Sequence, residues 1–237
     1  MQRNGAQVKV EVRNRLEIDQ TYRVARALGL FNVSSQMAAE FCMDVEVPID
    51  SSGAPEGEWR IGVVCGPSGS GKTSIGRALE GVGWTEWGAE PWGPGAIIDE
   101  IDPNGSFDQV TAVLASVGLG TVPSWIRPFR VLSNGERYRA ELARLLAERP
   151  TRVFFDEFTS VLDRKVAKVG AQAFAKAWRR GPANQVVFLT PHRDVLDWLK
   201  PDWVIYTSLQ AAASDDPKTL VSNRDSFDSP AVTEVIA

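Results

Sequence analysis

The chain has 237 residues, 43% of them hydrophobic and 24% charged, which is enough apolar material for the core of one large α/β domain. Its formal net charge of −4 excludes the strongly basic composition of a general nucleic-acid-binding domain. No apolar stretch approaches the roughly 18 residues that cross a bilayer, and the charged N-terminal residues do not form a signal peptide. Cys42 and Cys65 are the only cysteines, too few for a disulfide framework. We therefore expect a soluble cytoplasmic protein without a membrane span.

The N-terminal region is predicted to be a small β-layer with one helix. Residues 7–13 alternate strictly between polar and apolar side chains, which predicts a half-exposed strand. A short helix is predicted over 21–30 and a second strand over 41–49. The Ser-, Gly- and Pro-rich residues 51–57 then predict a loop that leads into the next part of the chain.

The next segment contains a phosphate-binding loop. Residues 66–73 fill every fixed position of the pattern G-x-x-x-x-G-K-[ST], after a short apolar strand at 61–65 and before a helix that begins near Ser74. In this context the backbone N–H groups and the positive end of the helix point at bound phosphate. Lys72 would neutralise the β- and γ-phosphates, and the Thr73 hydroxyl would bind Mg²⁺. The predicted nucleotide-binding residues are Gly66, Pro67, Ser68, Gly69, Ser70, Gly71, Lys72, Thr73 and Ser74.

A tryptophan-rich passage follows at residues 81–95, where Trp84, Trp87 and Trp92 lie among glycines and prolines. It has two interpretations. The passage could be a surface that binds a partner, but tryptophans that pack inside an irregular loop are the more common outcome.

Two acidic residues follow a strand further along the chain. Val153 to Phe155 are apolar on both faces, which is typical of a strand buried in a parallel sheet. Asp156 and Glu157 then lie at its carboxyl end, where open α/β sheets bind their ligands. Asp156 would hold Mg²⁺ through its water shell, and Glu157 would polarise an attacking water molecule.

Residues 132–136, Leu-Ser-Asn-Gly-Glu, resemble the LSGGQ signature of ATP-binding-cassette (ABC) ATPases. The resemblance continues in family order, with a helical pattern, the acid pair 156–157, and then residues 160–163, which are similar to the D-loop of the family. His192, the only histidine, follows an apolar strand where the family places its switch histidine. The resemblance extends over 58–206. The chain is identified on these motifs as an ABC-type ATPase, in a soluble stand-alone variant.

The resemblance implies an α/β fold. We expect a P-loop NTPase of the ABC ATPase type, with a mixed central sheet, flanking helices, an N-terminal antiparallel β-layer and a short helical subdomain. The single domain would span 1–207, with the β-layer at 1–58 and the nucleotide-binding core at 59–207. The helical insert would cover about 100–132, and residues 208–237 would form a C-terminal tail with one ordered segment near Ala231 to Ile236.

The resemblance also implies an activity, the hydrolysis of ATP with Mg²⁺ at composite sites of a head-to-tail homodimer. The phosphate loop of one subunit would hold ATP. The signature of the other subunit, through Ser133, Asn134 and Gly135, would cover the γ-phosphate. Each site would therefore be incomplete in the monomer.

The roles of the remaining site residues follow from the same resemblance. Glu157 would be the general base, His192 would contact the γ-phosphate, and Lys72 would complete the catalytic set. Asp163 would connect the two sites across the dimer.

Some positions depart from the family pattern. Asn134 and Glu136 replace a Gly and a Gln of the signature, and Pro191 precedes the histidine. Asn tolerates left-handed backbone conformations better than most residues, so the first change is mild.

Two residues of the family pattern have no obvious counterpart. For the Q-loop glutamine the candidates are Asp99, Asp102 and Gln109. We favour an Asp and predict Asp99 as a further Mg²⁺ contact. For the aromatic residue that stacks on adenine, the candidates are Phe31 and Phe41, although a core position is the simpler interpretation of each.

Arginines cluster around the signature and the predicted helix 137–148. One interpretation is a solvated helix face in which they pair with Glu136, Glu141 and Glu148. The alternative is a basic surface for the phosphates of ATP or of a polynucleotide. The arginines are Arg127, Arg130, Arg137, Arg139, Arg144, Arg149 and Arg152.

Three functional classes are compatible with the sequence. We favour an ATPase that couples its cycle to a nucleic-acid or protein-assembly partner. The first alternative is the nucleotide-binding subunit of an ABC transporter, for which the stretch 102–132 is short. The second alternative is an ATP-gated dimerisation module with little turnover, against which the intact Lys72, Glu157 and His192 argue.

Overall fold

The computed structural model describes residues 8–15, 18–32, 40–49, 58–89, 91–160, 162–208 and 231–236. A two-stranded antiparallel sheet, β1–β2, precedes a six-stranded parallel sheet in the order β4-β5-β6-β3-β7-β8. The strands are β1 Val8–Arg15, β2 Glu40–Val47, β3 Ile61–Cys65, β4 Thr85–Glu86, β5 Arg152–Phe155, β6 Gln185–Thr190, β7 Trp203–Ser208 and β8 Ala231–Ile236. The helices are α1 Tyr22–Phe31, α2 Lys72–Gly81, α3 Ile97–Glu100, α4 Phe107–Ser116, α5 Val122–Trp125, α6 Asn134–Glu148, α7 Arg164–Arg180 and α8 Val195–Leu199, with a 3₁₀ turn at Phe129–Val131.

The central strands are apolar on both faces because the sheet is covered on both sides. In β6, Val186 and Phe188 pack into one apolar cluster, while Val187 and Leu189 pack into the other. Successive side chains of a strand point to opposite faces, so a strand between two layers needs a continuous apolar run. This is why the short runs that predicted β3, β5 and β6 could be recognised from the sequence.

The two layers have different compositions. One face packs against α2 and the end of β2, where Trp59 stacks on Trp84 with ring centroids 5.8 Å apart. The other face packs against α4, α6 and α7, whose apolar residues enclose Phe158 and Phe188. Gly76 of α2 lies so close to β5 that a Cβ there would approach the Phe154 ring to 2.8 Å. The absence of a side chain therefore lets α2 lie against the sheet.

Four helices in the described part of the chain begin with side-chain caps, and three of these caps use residues for which the sequence suggested other roles. Gln109 completes a capping box with Ser106 at the start of α4, which gives this Q-loop candidate a local structural role. Asp163 accepts backbone N–H bonds at the start of α7. Ser133 and Glu136 form a second capping box at the start of α6.

The predicted mixture of parallel and antiparallel pairing is divided between two sheets in the described part of the chain. Antiparallel pairing occurs in β1–β2, and the pairings of the central sheet are parallel. The strand β8, inside the segment predicted as a tail, pairs with β7 at the sheet edge. The domain boundary at 207/208 stays a prediction. The core interpretation of Phe31 is wrong, because its side chain is 78% exposed, and the side chain of Phe41 lies outside the described part.

The tryptophan-rich segment packs against the protein. The indole N–H groups of Trp87 and Trp92 both donate to the Glu141 carboxylate, at 3.1 and 2.6 Å. Burial raises the pKa of Glu141, and those two hydrogen bonds and Arg144 oppose the rise. A cavity of about 500 Å³ lies beside Trp92, Phe129 and Glu141. The packing interpretation of these tryptophans is confirmed.

The arginines around α6 only partly form the pairs with glutamates that a solvated helix face predicts. Arg144 pairs with Glu148 at 2.6 Å, as expected for residues four apart on a helix. Glu136 and Glu141 instead accept hydrogen bonds from serines and indoles. Several arginines pack on aromatic rings: Arg137 on Phe129, Arg144 on Trp87 and Trp92, and Arg149 on Trp178. These arginines thus contact aromatic rings, where the sequence predicted pairing with carboxylates.

Candidate functional site

The phosphate loop lies at the carboxyl end of β3, the central strand between β6 and β7. Gly69 and Gly71 have φ angles of 81° and 85°, a left-handed conformation that residues with a Cβ rarely adopt. These angles close the loop around the amino end of α2. The Lys72 ammonium donates to the Pro67 carbonyl at 2.7 Å, across the loop, while Pro67, Ser68 and Gly69 are exposed. The loop is therefore formed and open to solvent.

The base of the loop is anchored to β7. The buried Ser70 hydroxyl lies 2.6 Å from the Thr207 hydroxyl and donates to the Pro67 carbonyl at 2.8 Å. A Cβ on Gly66 would overlap with Thr207, so this first glycine of the pattern is required by close packing. Thr207 could not be predicted from the sequence, because no local pattern links a residue so far along the chain to the loop.

The phosphate loop and the acid pair are in direct contact. The Thr73 hydroxyl donates to Asp156 Oδ2 at 2.8 Å. Sheet order explains the meeting, because β5 is separated from β3 only by β6 and all three strands end at the same edge. Hydroxyl and carboxylate oxygens are the ligands that Mg²⁺ prefers. The residue pair fits a magnesium ion that keeps several water molecules and is shared with phosphate.

Glu157 lies beside this pair in a strained backbone conformation. Its backbone N–H donates to Asp156 Oδ1 at 2.8 Å, and the residue is exposed just beyond the carboxyl end of β5. Glu157 and Thr159 have φ angles of 52° and 66° without being glycines. Such residues cost on the order of 1–3 kcal/mol each and cluster at functional sites. The turn after β5 is thus held in one conformation by its surroundings.

The Lys72 ammonium is a positive charge that is largely removed from water. Burial lowers the pKa of Lys72, and the nearby carboxylates of Glu157 and Asp156 oppose that shift. Its side chain is 5% exposed. A buried cation with one carbonyl contact gains from an anionic ligand, because the ligand replaces lost hydration.

His192 lies after β6, between the acid pair and the phosphate loop in the order of strands. Its Nδ1 is 3.2 Å from Arg164 Nη1 and 3.4 Å from the Thr159 hydroxyl. Arg164 also forms a two-point ion pair with Asp194, with one contact at 2.9 Å. The sequence analysis missed Arg164 and Asp194. Arg164 follows Asp163, and Asp194 lies two residues after His192, but neither position belongs to a motif.

The signature-like segment has a different setting. Ser133 and Asn134 are exposed, and Gly135 is half-buried. The Ser133 hydroxyl donates to Glu136 at 2.7 Å, and Ser124 donates to the same carboxylate at 2.6 Å. These bonds lower the pKa of Glu136 to about 2. In the described residues, no hydrogen bond joins Ser133 or Asn134 to the loop 66–73.

The remaining aspartates are spread apart. Asp163 is exposed at the start of α7. Asp99 is exposed on the short helix α3, which packs against α5. Asp102 accepts a bond from the Asn104 backbone in a local turn. The described residues contain no cluster of three or more metal-ligating side chains. The predicted contact of Asp99 with Mg²⁺ stays a prediction.

Comparison with solved structures identifies the fold. The dimeric structure of MJ0796, a bacterial ABC transporter cassette, matches 84% of this chain and 93% of its own chain, with a TM-score of 0.53 and 14% sequence identity. A bacterial Atm1-family ABC exporter with ATP bound matches 73% of this chain and 34% of its own chain, with a TM-score of 0.47 and 18% sequence identity. No protein-family model and no curated protein matches the sequence.

The chain therefore has the fold of an ABC ATPase domain, as its motifs predicted. At 14% identity the likeness establishes the fold and leaves the function to the site. In the part of the chain that the structure describes, each helix is too short or too polar to traverse a lipid bilayer.

Proposed function

We propose that the chain is an ATPase that binds and hydrolyses Mg-ATP at composite sites of a head-to-tail homodimer. The observation that carries this proposal is the 2.8 Å contact of the Thr73 hydroxyl with Asp156. This contact joins a glycine-rich phosphate loop to an acidic strand end. The loop and the strand end both lie at the edge where α/β sheets bind nucleotides.

The phosphate loop would bind the triphosphate of ATP. Its backbone N–H groups and the amino end of α2 attract anions, and Lys72 adds a compact positive charge. The bond from Lys72 to the Pro67 carbonyl holds the ammonium within the loop. On binding, the ammonium would exchange a neutral acceptor for charged phosphate oxygens.

Mg²⁺ would be held by Thr73 and Asp156, together with water and phosphate oxygens. When bound, it neutralises charge on the β- and γ-phosphates. Asp99 remains a proposed additional contact.

Glu157 would act as general base. Its carboxylate is exposed at the strand end, next to Asp156, where it can accept a proton from water that attacks the γ-phosphate. His192, after the neighbouring strand, would donate a hydrogen bond to the γ-phosphate. The strained turn at Glu157 supports this assignment, because such strain is retained where a residue has a fixed task.

The second half of each site would come from another subunit. Ser133, Asn134 and Gly135 would cover the γ-phosphate in trans, and Asp163 would lie near the dimer axis and connect the two sites. The exposure of Ser133 and Asn134 at the start of α6 supports this arrangement, because both residues are accessible to a second subunit and the amino end of a helix attracts anions.

The partner that the ATP cycle drives would be a nucleic acid or a protein assembly. A second candidate function is the nucleotide-binding subunit of a transporter, which the likeness to a transporter cassette favours. Duplex DNA, single-stranded RNA and liposomes with membrane extract should be tested as activators of ATP hydrolysis. Stimulation by nucleic acid supports the first function. Stimulation by the membrane fraction alone supports the second.

The ATPase activity itself is tested with Glu157→Gln. The purified chain should release phosphate from Mg-ATP, and this variant should lose roughly 10²- to 10⁴-fold in rate while it still binds ATP. Glu80→Gln, an exposed carboxylate on α2, is the matched control and should keep the full rate. If the wild type bound ATP without turnover, the chain would be a dimerisation module instead.

A further inference from the structure

The loop that carries His192 is connected to the start of α7 by one arginine. The Arg164 guanidinium forms a two-point ion pair with Asp194, two residues beyond the histidine. The guanidinium also lies over the Trp198 ring, 4.7 Å from its centroid. An arginine fixed by a carboxylate and an aromatic face has little freedom to rotate away. Arg164 is therefore a fixed element of this corner of the site.

The same guanidinium determines what the histidine ring can do. Arg164 Nη1 lies 3.2 Å from His192 Nδ1. A guanidinium has donors and no acceptor, so this contact is a hydrogen bond only if Nδ1 carries no proton. A neutral imidazole with a bare Nδ1 must carry its proton on Nε2.

Thr159 supports the same assignment. Arg164 Nη1 donates to the Thr159 hydroxyl at 3.3 Å, and that hydroxyl lies 3.4 Å from His192 Nδ1. The hydroxyl can accept from the guanidinium and donate to Nδ1 at the same time. Both neighbours of Nδ1 can thus present a proton to it.

We propose that Arg164 is a positioning residue that fixes His192 in the neutral tautomer with the proton on Nε2. In this form the ring presents a donor on the side away from Arg164, which is the form that a hydrogen bond to phosphate oxygen requires. The role of this donor in hydrolysis rests on the proposed function, whereas the tautomer itself does not.

The charges around the ring agree with this geometry. Burial lowers the pKa of His192 and Arg164 lowers it further, while Asp194 and Glu157 oppose the shift. The imidazolium form would carry a proton on Nδ1 that faces the Arg164 guanidinium, so the two positive groups would repel each other. A neutral ring at pH 7 avoids that conflict.

The arrangement also connects two parts of the proposed dimer. Arg164 directly follows Asp163, which the proposed function places near the dimer axis. A shift of the start of α7 on dimerisation would move Arg164 and with it the donor that holds Nδ1. The histidine would thereby sense the state of the interface.

The experiment uses nitrogen NMR on the full chain with isotope-labelled histidine, without nucleotide. Because His192 is the only histidine, its two ring nitrogens can be observed without assignment ambiguity. Above the pKa of His192, we expect Nδ1 to resonate as an unprotonated nitrogen and Nε2 as a protonated one. Equal, averaged nitrogen shifts or a protonated Nδ1 in the wild type would overturn the proposal.

Arg164→Met removes the donors and keeps an apolar stem over Trp198. We expect the two nitrogen shifts to move toward each other as both tautomers become populated. The matched control is Arg193→Met, which removes the same charge from an exposed arginine that lies over Tyr206. The control should keep the wild-type signature. An unchanged signature in Arg164→Met would contradict the proposal.

Asp194→Asn keeps the test decisive if Arg164→Met fails to fold. A neutral amide holds the guanidinium less firmly, so the nitrogen shifts should move in the same direction, and no movement would contradict the proposal. In an ATPase assay, Arg164→Met should be slower by roughly 10- to 100-fold, the effect of one hydrogen bond to a charged group. A fixed tautomer in a chain without ATPase activity would refute the proposed function and leave this inference standing.

Discussion

The phosphate loop and the signature-like segment each lie at the start of a helix, and their surroundings differ. The phosphate loop is bound to two other strand ends, through Thr73 to Asp156 and through Ser70 to Thr207. In the signature-like segment, Glu136 accepts hydrogen bonds from Ser133 of the same segment and from Ser124 of the short helix α5. The phosphate loop is thus contacted by two strands of its own chain, whereas Ser133 and Asn134 are exposed and make no hydrogen bond to that loop in the described residues. This difference is what a site shared between two copies requires.

The largest effect on ATP affinity should come from a substitution in the phosphate loop. Lys72→Ala removes an ammonium that faces the triphosphate, and each charge-assisted hydrogen bond is worth about 1.5–3 kcal/mol. We expect ATP binding to weaken by roughly 100-fold or more in isothermal titration calorimetry. Lys176→Ala, an exposed lysine on α7, is the control and should bind ATP normally. Unchanged affinity in Lys72→Ala would remove the lysine from the binding site.

A substitution in the signature-like segment should leave ATP binding nearly unchanged and reduce hydrolysis. Ser133→Arg places a bulky cation at the start of α6, where a second subunit's nucleotide would approach. We expect ATP affinity of the isolated chain to stay within about threefold, whereas hydrolysis should fall by at least roughly 100-fold. Parallel loss of binding and hydrolysis would place the segment beside its own chain's nucleotide. Ser116→Arg, at the exposed end of α4, should leave both measurements unchanged.

The smallest effect concerns the carboxylate that holds the signature segment. Glu136→Gln keeps the capping box but removes a negative charge at the start of α6, so stability at pH 7 should fall by about 1 kcal/mol. The pKa of Glu136 is about 2 in the folded chain against an ordinary value of 4.5. A carboxyl group whose pKa is lowered by folding stabilises the folded state at pH values above its unfolded pKa. The difference between wild type and variant should therefore vanish as the pH falls from about 4.5 to about 2.

Urea unfolding at a series of pH values measures this difference. Glu148→Gln, at the other end of the same helix, removes a carboxylate from an exposed pair with Arg144 and should change stability by less than about 0.5 kcal/mol. A Glu136→Gln deficit that persisted at low pH would mean that the charge of Glu136 is not the stabilising feature.

Local patterns predicted the elements of the site well where the sequence itself carries the constraint. The strand at Ile61–Cys65 was predicted at its full length, because a two-sided apolar run followed by a glycine-rich loop permits few alternatives. Residues with spacing S-x-x-E and S-x-x-Q mark the capping boxes at Ser133 and Ser106, and this signal was available but was not used.

Contacts between distant segments could not be predicted in the same way. Glu141 binds two indoles from a loop about fifty residues earlier, and Arg164 binds Asp194 thirty residues later. A helix pattern shows that such a residue is polar but does not show which partner it meets. The exposure of Phe31 was missed for a related reason, because an apolar residue on a short helix indicates a core position only if another element covers it.

In the proposed mechanism, each nucleotide site needs two copies of the chain. Light scattering of Glu157→Gln tests it most directly, because blocked hydrolysis keeps ATP in place as a ligand of the dimer and shifts the equilibrium by mass action. We predict a dimer with Mg-ATP and a monomer without nucleotide or with ADP. Adding Ser133→Arg to the same chain should return it to a monomer that still binds ATP. A Glu157→Gln chain that binds ATP and stays monomeric at high concentration would contradict the account.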